Sequence, residues 1–404
     1  TLSRIGEDVS EKLDYIPAKL QVIRNVRPKY ACKCCEGVED EGPAVKIAPV
    51  PLQLIPKSIA SEGLVAHIAV SKFADALPLY RQEKILARLG VDIPRATMAN
   101  WMRLAAEQCQ PLVELLIEEI RSGPLINMDE SPFQVLNEPG RSNTSKSYIW
   151  VFCGGPLDAP VALYQYHPTR SGQLALELLD GYQGYIQTDG YAGYDHLCKD
   201  PGIEHIGCMV HARRKFVEVN KSRKKARGKQ ARNKGLADEA LDFIGELYQI
   251  EKHARENGLS YDQICELRDQ KARPILDRFK TWLDTHHPQV PPKSLLGKAI
   301  QYTLNQWERL VGYLEAGFLK PDNNNAENAI RPFVLGRKNW LFAAGPKGAH
   351  ASATMFSLIE TAKANGIEPY QYLRYVFEKL PAAENVEGLR ALLPGSVKEV
   401  LAEK

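Results

Sequence analysis

Residues 125–129 (LINMD), 148–153 (YIWVFC), 161–166 (VALYQY) and 185–189 (YIQTD) decide how the middle of this chain folds. Each run is short, rich in β-branched, aromatic or aliphatic residues, and separated from the next by turn formers such as Gly154-Gly155. Phe133–Val135 reads as a continuation of the first run, and residues 203–208 (IEHIGC) as a fifth strand. Between the third and fourth runs, Ser171 to Leu179 has a helical pattern with Ser171 as its N-cap. Three strands in hairpin succession, a helix and two more strands predict a mixed sheet with helices on its faces.

Upstream, helical patterns cover Glu62–Phe73, Leu79–Leu89 with Gly90 as C-cap, Ala96–Gln108 and Pro111–Ile120. The second and third, joined by residues 91–95 (VDIPR), have a helix-turn-helix outline that would aim Arg95, Thr97, Asn100 and Arg103 at a DNA groove. Two adjacent packed helices give the same pattern. Leu20–Arg27 approximates a strand, and residues 39–60 form a Pro-rich linker. Cys32 and Cys35 have the C-x-x-C spacing of half a zinc knuckle. No second pair stands nearby, so the zinc ligand set is incomplete and a pair of free thiols fits equally. Downstream, residues 212–320 are helical and charged, with patterns over 238–257, 261–284 and 295–314 broken by Pro288, Pro291 and Pro292. Asn323-Asn324-Asn325 opens a short helix, and 352–365 and 368–380 make a helical tail.

The 404 residues suffice for two to four compact units, and the net charge is only +3. The distribution says more: from His211 to Lys234 there are eleven Lys or Arg against the single acid Glu218. Such a run attracts phosphate backbones, or is simply a solvated basic loop. No apolar stretch has the length to span a bilayer and no signal peptide is visible, so the cytoplasm is the expected setting. The first residue is Thr rather than Met, which fits a trimmed or partial chain. Apart from Cys32–Cys35, the eight cysteines are scattered like reduced thiols.

Three carboxylates stand out by position. Asp129 ends the first strand and Asp189 the fourth, and in this strand order those strands are neighbours. Glu327 falls in the first turn of the helix that Asn324 would cap, with Arg331 one turn later as an i,i+4 partner or phosphate contact. Pro332 should kink or end that helix. Several carboxylates converging from rigid elements suit a pair of hard divalent ions, magnesium or manganese, and in-line phosphodiester chemistry. With 49 acidic residues any one of them is expected by chance, and Glu130, Asp180, Asp195 and Asp322 are alternatives close by. The Cys208-Met209-Val210-His211 spacing permits metal binding, but two ligands make no zinc site. A packed cysteine and a hydrogen-bonded histidine is the competing reading. Arg213, Arg214 and Lys215 directly after it, with Arg337 and Lys338 beyond the third carboxylate, would put cations beside DNA. Trp340 reads as a base-stacking or a core residue.

The stretches GEDVSEKLDYIPAKLQVIRNVRPKYACKCCE, MDESP, QTDGYAGYD, GCMVHARRKF, DNNNAENAIRPFVLGRKNWLFAAGPKGA and SATMFSLIETAKANGIEPYQYLRYVFEKLP, in this order, resemble transposases of the insertion sequence 66 family. The resemblance implies a DDE-type DNA transposase with a ribonuclease-H-like, retroviral-integrase-like α/β core interrupted by a helical insertion. It implies catalytic Asp129, Asp189 and Glu327 holding two magnesium or manganese ions, and cleavage and strand transfer at the element's ends. Double-stranded DNA (terminal inverted repeats and target) and further copies of the chain would be the partners. Cys208 and His211 match the family's cysteine–histidine signature. The family's N-terminal zinc finger has a cysteine pair before the stretch that opens this chain, leaving only Cys32 and Cys35 here. The expected organisation is 1–38 partial zinc finger, 39–110 linker and helix-turn-helix region, 111–215 first part of the catalytic core, 216–320 insertion, 321–348 second part of the core, and 349–404 helical tail. A DNA-binding remnant without catalysis and a ribonuclease-H-like nuclease are the alternatives.

Overall fold

The computed structural model describes residues 8, 10–14, 19–31, 45–194, 197, 202–227 and 234–402. Cys32, Cys35, Asp195 and most of the basic run beyond Arg223 lie outside the residues whose side chains are described. The strand expected at 20–27 does not form there. Pairing occurs instead between β1 (Lys29–Ala31) and β2 (Val45–Ile47), an exposed antiparallel ribbon. A strand needs a partner, and 29–31 is the segment that finds one.

Four helices follow: α1 (Glu62–Phe73), α2 (Leu79–Arg88), α3 (Arg95–Gln108) and α4 (Gln110–Ser122). Ser61 caps α1 by accepting the Leu64 N–H at 3.3 Å. Gly90, at φ +84°, ends α2 in the left-handed region as the sequence suggests. The sheet comprises β3 (Leu125–Val135), β4 (Lys146–Gly154), β5 (Val161–His167), β6 (Gly184–Gln187) and β7 (Ile203–Ile206), with α5 (Gln173–Leu178) between β5 and β6. Ser171 does not cap α5; Gly172 occupies that position and the Ser171 hydroxyl bonds Thr169 instead. The spatial order is β5-β4-β3-β6-β7, antiparallel among the first three and parallel from β3 to β7. The first and fourth strands are therefore neighbours, as the element order implies.

After the sheet the chain runs through α6 (Met209–Arg227), α7 (Leu236–Glu256), α8 (Tyr261–Leu267), a π-helical turn at 268–272, α9 (Arg273–His286), α10 (Leu295–Asn305) and α11 (Trp307–Val311). These helices surround a core of their own, with Met209, Phe216, Ile244, Leu247, Phe279, Leu283 and Ile300 buried in it. Arg268 is buried there and satisfied by Glu251 at 2.8 Å and by the carbonyls of Tyr313, Ala316 and Leu319. Such full satisfaction is what makes a buried guanidinium tolerable. The chain then returns to the sheet as α12 (Asn324–Trp340) and β8 (Phe342–Ala343), which pairs with the far end of β3. Pro332 does not end α12, which continues to Trp340. The carbonyl it leaves without a donor belongs to Asn328, an exposed residue, so water can take that place.

The C-terminal segment holds α13 (Pro346–Ala364), α14 (Pro369–Lys379), α15 (Val386–Arg390) and α16 (Pro394–Ala402). α13 belongs to the same hydrophobic core as α1, α3, α4 and the sheet. It also covers the outer edge of β5: Ser357 Oγ accepts the Tyr164 N–H at 2.8 Å and Thr361 Oγ1 the Ala162 N–H at 3.1 Å. An edge strand that would otherwise offer free N–H groups is thereby closed. Trp340 is a core-facing residue, edge-on to Phe73 with Lys72 Nζ 4.3 Å from its ring. Among the described residues no helix is long and apolar enough to cross a membrane.

Candidate active site

Strand register brings the first two acids together. Asn127 on β3 stands opposite Gln187 on β6, and their side chains hydrogen-bond at 2.9 Å. Side chains alternate along a strand, so Asp129, two residues further along β3, lies on that same face, and Asp189, just past the end of β6, comes close enough to repel it. Asp189, read from the sequence as the last residue of the fourth strand, lies two residues beyond β6, which ends at Gln187. Asp129 does not end its strand: β3 runs on to Val135 because β4 stays paired with it through Gln134. What stops at Asn127 is the pairing with β6, which opens the sheet beside Asp129.

Glu327 arrives from the first turn of α12. Its N-terminus is capped differently from the sequence reading. Asn323, not Asn324, occupies the N-cap position and makes no side-chain cap bond, while Asp322 before it accepts the Asn324 N–H at 3.2 Å. Asn323 turns inward, accepting from Asn127 Nδ2 at 3.0 Å and donating to the Met128 carbonyl at 2.8 Å. Asn325 Nδ2 donates to Asn127 Oδ1 at 3.3 Å, and Gln187 Nε2 donates to the carbonyls of Gly207 and Lys320 at 3.0 and 2.8 Å. A buried amide network thus ties β3, β6 and the start of α12 to one another.

The charges register this convergence. Burial pushes the Asp129 carboxyl up to about 7, with Glu130, Asp189 and Glu327 adding repulsion against the Glu130 N–H that donates to it. Asp189 Oδ1 accepts the Tyr191 N–H at 3.0 Å. An oxygen-only donor set suits a hard divalent cation, but these three carboxylates do not all come within 4.8 Å of one another, so an ion would have to draw them together. Glu130 is raised by burial, but Tyr194 and Arg170 hold its carboxylate and oppose the rise. It is a partnered residue of the site's wall, and the exposed Asp180 lies off the network.

A cleft of about 330 Å³ opens beside Asp189, lined by Arg170, Tyr191, His211, Arg214, Lys215 and Tyr302 among others. Arg170 lies 3.7 Å over the Tyr191 ring and Lys215 Nζ 4.4 Å over that of Tyr302. Arg170 and Tyr302 are missed by the sequence reading, since each acquires its place only by packing from a distant element. Gly190 owes its identity to that packing, because a Cβ there would meet the Tyr302 hydroxyl at 2.5 Å.

Arg214 Nη2 lies 3.4 Å from Glu327 Oε2. Arg331, read from the sequence as an i,i+4 partner of Glu327 or a phosphate contact, is exposed and makes no ion pair with Glu327. Cys208 is buried, accepts the Asn323 N–H at 3.3 Å, and has its thiol pushed up to about 11 by burial. Burial likewise lowers His211, against the pull of Glu327. Arg213 and Lys338 are exposed, and Arg337 donates to Ser131 Oγ at 3.2 Å beside a second cleft of about 480 Å³ that Lys146 and Lys338 also line. On α3, Arg95 and Asn100 are exposed, and Arg103 is paired with Glu107 and Asn100 on its own helix.

Residues 57–351 match the family described as Transposase IS66 family, residues 357–394 the IS66 C-terminal element, and residues 1–36 the zinc-finger binding domain of transposase IS66. Among proteins of Sinorhizobium fredii (strain NBRC 101917 / NGR234), the chain is similar to Uncharacterized protein y4jD, 35% identical over 98% of this chain and 76% of that protein. It is also similar to Uncharacterized protein y4qI, 34% identical over 98% of this chain and 72% of that one, and to Uncharacterized protein y4hP, 31% identical over 99% and 72%. With the first of these models covering most of its length, the chain belongs to the IS66 family of transposases.

Proposed function

We propose that this chain cuts DNA at the ends of an insertion sequence and joins the freed 3′ ends to a target, using Asp129, Asp189 and Glu327 as the acidic triad of a ribonuclease-H-like core. The observation that carries the reading is the pairing of Asn127 with Gln187, two residues before each aspartate, with Asp189 and Glu327 both close enough to raise the Asp129 carboxyl. The strand order, with three antiparallel strands followed by two parallel ones, supports the ribonuclease-H-like assignment. Asp129, Asp189 and Glu327 would hold one or two magnesium or manganese ions, which supply charge stabilisation of the attacking and leaving oxygens in an in-line displacement.

The chain's own residues do the rest. Arg170, Arg214 and Lys215 offer cations to the phosphates beside Asp189, and the Tyr191 and Tyr302 rings hold two of them in place. Glu130 fixes Arg170 from behind. Arg337 and Lys338 extend the positive surface along β3, and Arg95 and Asn100 offer a further duplex contact on α3. Joining two ends asks for at least two copies of the chain on DNA.

The test is incubation of the protein with labelled terminal repeats and magnesium. Wild-type protein should nick and join; Asp189→Asn should bind with equal or somewhat higher affinity and do neither. Binding without nicking by the wild type would make the chain a DNA-binding remnant. Cleavage of RNA–DNA hybrids without strand transfer would make it a nuclease. Full activity of Asp189→Asn would remove that residue from the triad.

A further inference from the structure

Glu327 also has neighbours of a different chemistry. Cys208 follows β7 and His211 sits in the first turn of α6, so the C-x-x-H spacing faces both side chains into one corner. Cys208 Sγ lies 3.9 Å from Glu327 Oε1, and His211 Nδ1 lies 3.6 Å from the same oxygen. One ligand atom from each of the three residues falls within 4.8 Å of the others. Donors on a tetrahedral zinc ion, with bonds of about 2.0–2.3 Å, stand about 3.3–3.5 Å apart. Small side-chain shifts would close the three atoms around one ion. His211 Nδ1 is buried and has no hydrogen-bond partner, a costly state that a metal bond relieves.

We infer that Cys208, His211 and Glu327 form a site for a thiophilic divalent cation such as zinc or cobalt, distinct from the hard-ion site and sharing Glu327 with it. The sulfur and imidazole donors select against magnesium, which prefers oxygen alone. Three protein donors leave the fourth position of a tetrahedral ion to water. Arg214 opposes the ion, since it lies 3.4 Å from both Glu327 Oε2 and His211 Nε2. Its side chain is 60% exposed and can swing away. An ion held here takes Glu327 from the aspartates, so zinc inhibits the magnesium-dependent reaction. That consequence rests on the proposed role of Glu327; the binding does not.

The experiment is a cobalt titration of the full chain carrying Cys32→Ser, Cys34→Ser and Cys35→Ser, which removes the competing thiols. One cobalt per chain should bind with a thiolate charge-transfer band and the strong visible absorption of four-coordinate cobalt, unchanged by a large excess of magnesium. Cys208→Ala should abolish the thiolate band, and His211→Ala and Glu327→Gln should each weaken binding by about tenfold or more. Absence of a thiolate band in the parent, or its persistence in Cys208→Ala, overturns the site. If Cys208→Ala does not fold, unchanged cobalt affinity in His211→Ala or Glu327→Gln overturns it as well. Normal cobalt binding with joining that zinc leaves untouched would keep the site and remove Glu327 from the triad.

Discussion

Asp129 holds its proton up to about pH 7 because it is buried among other carboxylates. An acid whose folded pKa exceeds its unfolded value binds protons more tightly in the folded state. Below about pH 4 both states are protonated and the group is neutral to stability. As pH rises from about 4 to 7 the unfolded chain ionises first and the fold loses stability, and above 7 the whole penalty is present. Asp129→Asn keeps an acceptor for the Glu130 N–H and removes the charge. In the absence of divalent ions it should be more stable than wild type at pH 8 by on the order of 2–4 kcal/mol, and equal to it at pH 4. Thermal melts in chelator at the two pH values check this; an equal midpoint at pH 8 would mean that Asp129 ionises without penalty. At the same scale the sequence identified the acids but not their partners. Nothing near Glu130 announces Arg170 or Tyr194, which lie 40 and 64 residues away along the chain.

Asn323 shows how an element is aimed. In the run 322–325 (DNNN) any residue is a plausible cap, and the position that looks inward cannot be told from the one that caps without the packed strands. Removing the Asn323 side chain leaves the Met128 carbonyl without its donor and takes one of two acceptors from Asn127 Nδ2. Asn323→Ala should cost about 2–3 kcal/mol in a denaturation experiment. It should also slow cleavage by at least about tenfold while DNA affinity stays the same, because the start of α12 loosens beside the aspartates. Arg331→Ala, on the exposed side of the same helix, should stay within about 0.5 kcal/mol of wild type. Equal behaviour of the two variants would remove the amide network as the device that orients Glu327.

For the whole molecule, Met209, Ala212 and Phe216 of α6 pack into the second hydrophobic core, with the helices that follow β7. The same helix turns His211, Arg214 and Lys215 towards Asp189. The helices after β7 therefore help build one wall of the cleft, through α6 and through Tyr302 of α10. A net charge of +3 conceals this concentration of cations. Replacing Arg213, Arg214 and Lys215 with Ala should weaken DNA binding and flatten the logarithmic salt dependence by about 0.9 for each phosphate left without its cation. Affinity measured across a salt series decides it, and an unchanged slope would place the DNA elsewhere.

The sequence alone determined what is local or strongly patterned. Strands such as 148–153 and 161–166, helices such as 62–73, and the acids that follow a strand run or open a helix are written in periodicity and turn chemistry. The family motifs add their order along the chain. Tertiary structure decided what depends on partners. It continued β3 past Asp129, carried α12 through Pro332, packed Trp340 against the core, gave Glu327 Arg214 and His211 in place of Arg331, and stood Cys208 beside that carboxylate. The physical reason is the same throughout. A strand's length, an inward-turned cap residue and a charge's partner are settled by groups far from them in sequence, from Lys146 opposite Gln134 to Asn127 at 196 residues from Asn323, and one-dimensional spacing carries no record of them until the sheet and the two cores have closed.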